Sequence, residues 1–114
     1  MQALQQSPMK KLEIIVQGEH RDFVLDLLDR AGASGWTVVD NLAGKGTHGA
    51  HEGHLMFNAD AVLVMIITAV PAALADAILE GLTPFFNKHM GVAFTSDIQV
   101  TRLARGASTP ASGA

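Results

Sequence analysis

The sequence predicts a single α+β domain in which two helices cover one face of a four-stranded antiparallel sheet, in the order β-α-β-β-α-β. Three observations carry this. Short stretches rich in isoleucine and valine alternate with two stretches whose apolar residues recur at helical spacing. The chain has 114 residues, the length of one domain, and 48% of them are hydrophobic, which supplies one core. The stretch "AVLVMIITAV" (61–70) is apolar on both faces and therefore central or doubly covered.

The elements follow in order. Residues 1–8 are polar and patternless, and patterned sequence starts at the second methionine, Met9, so the first eight are expected to be disordered and dispensable. "KLEIIV" (11–16) reads as a strand bounded by Gly18. "EHRDFVLDLLDRAG" places Phe23, Val24, Leu27, Leu28 and Ala31 on one helical face and stops at Gly32. "WTVVDNL" is the second strand and "AVLVMIITAV" the third. Pro71 opens a second helix through Leu74, Ala77, Ile78, Leu82 and Phe85, with Pro84 kinking or ending it. "GVAFTSDIQV" alternates as a half-buried fourth strand. This is the ferredoxin-like arrangement. Residues 106–114 ("GASTPASGA") form a small-residue tail, leaving 9–105 as the folded domain.

Two helices cover one face of a sheet whose third strand is apolar on both. The other face needs a partner, and self-association into a closed homo-oligomer supplies one. A net charge of −3 offers no basic field for nucleic acid. The absence of cysteine excludes disulfides and thiolate metal sites. The start lacks the apolar core of a secretory signal, and the longest apolar run, broken by Pro71 and ended by Asp76, falls short of the ~20 residues of a spanning helix. The expectation is a cytoplasmic protein without membrane insertion.

The stretch "NLAGKGTHGAHEGHLMFNAD" (41–60) holds four glycines and three histidines. Gly44, Gly46 and Gly49 fit G-x-G-x-x-G, but a dinucleotide fingerprint must open a helix, and here another glycine and then a strand follow. His48, His51, His54 and Glu52 are metal-ligand types, yet their spacing aligns them only on a helical segment that Gly49 and Gly53 disfavour, so no metal site is assigned. A loop over 43–58 between two strands that a tight turn could have joined has the size of a functional or a disordered loop. Gly44 and Gly46 allow close backbone approach to an anion, and Lys45 and Thr47 add donors. A plain mobile hairpin loop remains the alternative.

Arg102 and Arg105, the only arginines in the C-terminal half, follow the fourth strand and suit phosphate; solvated edge charges are the competing explanation. His89 beside Lys88 is accounted for by the end of the second helix. Trp36 and the phenylalanines read as core. Neither a paired-carboxylate nor a Ser-His-Asp arrangement is readable, so no catalytic residue is assigned.

"MKKLEIIV" (9–16), "GASGWTVVDNLAGKGTHG" (32–49) leading into a long loop, and "VLVMIITAVPAALADAI" (62–78) together resemble the PII superfamily of trimeric signalling proteins over nearly all of the folded region. The resemblance implies a non-enzymatic homotrimer that binds adenine nucleotide between subunits and uses the loop at 43–58, its T-loop, to engage a protein partner. Carried over by position, Thr37 matches a threonine near the adenine, and Gly46, Thr47 and His48 match loop-base positions near the phosphates. Arg102 and Arg105 stand where the family uses arginines on phosphate. Three departures stand out: the chain has no tyrosine to be uridylylated, one residue is inserted between Thr37 and Gly44, and the glycine-rich loop before the fourth strand is reduced to "NKHMG" (87–91). With these the chain is most similar to the carboxysome-associated PII-like group. That similarity implies ADP or AMP as the nucleotide and bicarbonate held by Gly44, Lys45, Gly46 and Thr47.

Two other families share the strand order. "VQGEHRDF" (16–23), "GW" at Gly35 and Trp36, and Asn41 look like fragments of an acylphosphatase, but Arg21 is one place off and Glu19 and Asp22 would repel a phosphate. An ACT-type regulatory domain leaves the glycine-rich loop unexplained.

Overall fold

The structure, a computed structural model, describes residues 4–43 and 62–103, with side chains at 7–43 and 62–101. The elements are β1 (Leu4–Gln17), a 3₁₀ turn (Gly18–His20), α1 (Arg21–Ala31), β2 (Thr37–Leu42), β3 (Leu63–Val70), α2 (Ala72–Lys88) and β4 (Gly91–Leu103). The sheet order is β2-β3-β1-β4 with every neighbouring pair antiparallel, the ferredoxin-like arrangement expected.

Alternation on β1 divides the two faces. Leu12, Ile14 and Val16 are fully buried under the helices, while Lys11, Glu13 and Ile15 stand on the opposite face. α1 contributes Val24 and Leu28 to that core, and α2 contributes Ala75, Ile78, Leu82 and Phe85, each set at the i, i+3, i+4 spacing of one helical face. Gly32 ends α1 in the left-handed conformation (φ 98°), its N–H donating to the carbonyls of Leu28 and Asp29, a cap that glycine adopts without a Cβ penalty. Pro84 lies inside α2, which continues to Lys88. The carbonyl that loses its partner belongs to Glu80, and both residues are exposed to water.

Three features of the strands differ from the sequence expectation. First, β1 begins at Leu4 rather than Lys11, and residues 4–8 pair with residues 99–103 of β4, so this part of the supposedly disordered segment is strand. Apolar patterning could not find it because its order comes from a partner strand distant in sequence. Pro8 is accommodated because β3 begins pairing with β1 only at Lys10, leaving one edge free. Second, β4 runs on to Leu103, three residues past the expected end. Third, Val39 pairs with Met65 and Leu42 with Leu63, so β2 carries one more residue than β3 between the two pairs. Asn41 takes φ 59° there, a conformation asparagine tolerates better than most residues.

Among the described residues no helix covers the other face of the sheet. Cross-strand register aligns Val39 with Met65, Met65 with Ile15 and Ile15 with Val92, and, one step along, Thr37 with Ile67, Ile67 with Glu13 and Glu13 with Phe94. Phe94 is 53% exposed, a large ring left in water, and Phe23 of α1 is 44% exposed, so neither joins the core in which the sequence placed the phenylalanines. On the helix side, beyond the core, Lys10 Nζ lies 2.5 Å from Asp97 Oδ1, and the hydrogen bond and charge of that carboxylate raise the lysine's pKa above its ordinary value. Among the described residues no helix is long and apolar enough to cross a membrane.

Candidate functional site

The end of the uncovered face where β2 begins holds an open depression of about 570 Å³, within the range of small-molecule sites. One side is the connection from α1 to β2, with Ser34, Gly35, Trp36 and Thr37; the floor is Ile67 and Ala69 of β3. The other side comes from the β1–β4 pair, through Ser7, Met9 and Val100. Its lining mixes an apolar floor with hydroxyls, the composition that holds a ring and orients it by a few hydrogen bonds.

The connection from α1 is anchored by Thr68. This threonine is 2% exposed, and its Oγ1 donates to the Gly35 carbonyl at 2.7 Å. A buried hydroxyl on a central strand thus fixes the backbone that leads into Thr37. Thr68→Val keeps the shape but deletes the bond. It is expected to lower stability by about 1 kcal/mol, measured by urea denaturation, with a matching loss in ligand affinity as the Ser34 to Thr37 backbone loosens. An unchanged denaturation midpoint would show that the bond contributes nothing.

Of the residues singled out in the sequence, Thr37 lies in the depression. The backbone of Arg102 pairs with Gln5 two residues beyond Val100, which brings β4's arginine position to the same end of the sheet. Gly44, Lys45, Gly46, Thr47, His48 and Arg105 lie outside the described residues, as do His51, Glu52 and His54. Among the described residues no group of three or more histidine or acidic side chains could hold a metal. Trp36 packs against the core, as its size suggested, and also lines the depression. Sequence reasoning missed Ser7, Met9 and Val100. Nothing in their local pattern marks them, because pairing between the two ends of the chain brings them to the site.

Around α1, Arg21 Nη1 lies 3.4 Å from Asp40 Oδ1 and its Nε 3.6 Å from Asp22 Oδ1. The guanidinium faces two carboxylates, which compete with the phosphate an acylphosphatase would place there. His89 caps α2, its N–H donating to the Phe85 carbonyl at 2.8 Å, and its ring stands 4.4 Å from that of His20 and 4.8 Å from that of Phe85. The helix-end role expected for it is accompanied by aromatic packing.

Fold and depression together define a small ligand-binding domain of ferredoxin-like fold with one sheet face open for association. The family model described as nitrogen regulatory protein P-II matches residues 9–105. The chain belongs to the P-II family, whose members are signalling, non-enzymatic proteins, and a homotrimer is consistent with that family. It is similar to CPII from Thiomonas intermedia K12, a nitrogen regulatory PII-like protein: the apo form is 53% identical over 88% of this chain and 99% of that chain, with a TM-score of 0.77. A structure of the same protein bound to ADP, AMP and bicarbonate is 50% identical over 86% of this chain and 98% of that chain, with a TM-score of 0.71. The GlnK–ATP complex of B. subtilis, 18% identical over 80% of this chain and 82% of that chain at a TM-score of 0.60, shares the fold. Comparison with curated proteins gave no match.

Proposed function

We propose that this protein is a PII-like regulator that binds ADP or AMP between the subunits of a homotrimer, together with bicarbonate. Its loop at 43–58 acts as a T-loop that controls a protein partner in inorganic-carbon metabolism in the cytoplasm. The observation that carries this reading is the 50–57% identity to CPII structures bound to ADP, AMP and bicarbonate, or to ADP and bicarbonate, spread over most of both chains.

The depression beside Thr37 supports the nucleotide half of the proposal. It opens on the uncovered sheet face, so a second subunit resting there would complete it. Thr37 meets the adenine, while Gly46, Thr47, His48, Arg102 and Arg105 surround the phosphates. The backbone N–H groups from Gly44 to Thr47, with Lys45, hold the anion. Nucleotide and bicarbonate would then each reduce the ordering cost of the loop for the other, so that the two ligands are read jointly.

Isothermal titration calorimetry with ADP, AMP and ATP, each with and without bicarbonate at fixed pH, tests this. Nucleotide binding that tightens with bicarbonate is the expected result; no binding of any nucleotide would end the proposal. Arg102→Ala is expected to weaken ADP by about 1.5–3 kcal/mol if its guanidinium makes a charge-assisted phosphate contact. Affinity equal to that of the unaltered protein would remove Arg102 from the site.

A further inference from the structure

We propose that residues 4–8, the part of β1 that precedes the P-II match, belong to the nucleotide site, and that the Ser7 hydroxyl hydrogen-bonds the bound adenine nucleotide. The proposal rests on the reading of the depression given above and adds to it a residue from outside the matched region. The match begins at Met9, whereas β1 begins at Leu4. Residues 4–8 pair in continuous register with β4, from Leu4 opposite Leu103 to Pro8 opposite Gln99. β3 joins β1 only from Lys10, so these residues and their partners form a two-stranded ribbon that overhangs the rest of the sheet.

A two-stranded ribbon is marginally stable in water and gains most when something rests on one of its faces. The period of two along a strand puts Ser7 on the same face as Met9, and register puts Val100 and Ile98 directly opposite them. Ser7, Met9 and Val100 line the depression that contains Thr37. Met9 and Val100 make that wall apolar, as the flat face of a purine requires, and Ser7 is the side chain on it able to form a hydrogen bond with a ring nitrogen or a ribose hydroxyl. The same pairing sets Gln5 opposite Arg102, so the ribbon also holds the backbone of β4's arginine in register.

Calorimetric titration of ADP into the full-length protein and its Ser7→Ala and Ser7→Thr variants tests the proposal, alongside thermal melts without nucleotide. Ser7→Ala is expected to weaken ADP by about 2- to 12-fold, the span of one ordinary hydrogen bond, with an unchanged nucleotide-free melt. Ser7→Thr, which keeps the hydroxyl, is expected to retain the affinity. Equal affinity in Ser7→Ala, an equal loss in Ser7→Thr, or a lowered nucleotide-free melt matching the loss would each overturn it while leaving the nucleotide reading intact. Failure of the unaltered protein to bind ADP would overturn both.

Discussion

Phe94→Lys is expected to convert a trimer into a folded monomer. Phe94 stands on the uncovered face of the sheet, 53% exposed, in the row formed with Glu13, Ile67 and Thr37. Burying a phenylalanine is worth about 1.5–3 kcal/mol, and each subunit of a trimer closed by this face loses that on substitution. Burying the introduced ammonium adds a desolvation penalty that its cross-strand neighbour Glu13, itself taken out of water by assembly, offsets only in part. The isolated subunit escapes this cost. There the introduced ammonium would stand directly across from Glu13, an opposite-charge pair of the kind that stabilises antiparallel strands. Dissociation would therefore arise at the interface and not from unfolding. Light scattering after size exclusion, with far-UV circular dichroism as a check on folding, reads the outcome. A variant that remains trimeric would place the interface elsewhere.

Ile14→Ala is expected to cost about 2–5 kcal/mol of stability, a large share of the ~5–15 kcal/mol typical of a domain. Ile14 is fully buried, and β1 is flanked by β3 and β4, with Ile14 opposite Ile66 on one side and Ala93 on the other. Val24, Leu28, Ile78 and Leu82 of the two helices belong to the same core cluster. A cavity there touches every layer and has few routes to collapse, since its neighbours are held by sheet pairing. Urea denaturation at one fixed protein concentration measures it, because assembly makes apparent stability depend on concentration. A loss below about 1 kcal/mol would mean that the core relaxes into the space.

Helix α1 was legible because its signals are local. Val24 and Leu28 share a face at a separation of four residues, and Gly32 stops the helix where a left-handed residue is needed. The four strands were legible from the same short-range patterns, and the need for a second copy followed from a third strand apolar on both faces. Pro84 shows the limit of a local rule. It disfavours a helix interior, yet packing of Leu82 and Phe85 carries α2 past it to Lys88.

The site was legible only in part. Thr37 could be named from a motif, and the structure places it in the depression. Ser7, Met9 and Val100 could not, because they reach it through the pairing of residues 4–9 with 98–103, segments at opposite ends of the described chain. No periodicity within a window of a dozen residues contains that information. Likewise the hydroxyl of Thr68 reads as one more small residue in an apolar run, and its bond to the Gly35 carbonyl exists only once β3 lies beneath the α1–β2 connection.

By itself, then, the sequence determined the order and type of the elements, the end of α1 and the open sheet face, each of which depends on neighbours a few residues away. Tertiary structure alone decided where β1 begins, where the extra residue of β2 is absorbed, and which side chains meet around Thr37. Those features depend on strand register, and register is settled between segments far apart in the chain, by the joint burial of Leu12, Ile14 and Val16 with β3 and the helices.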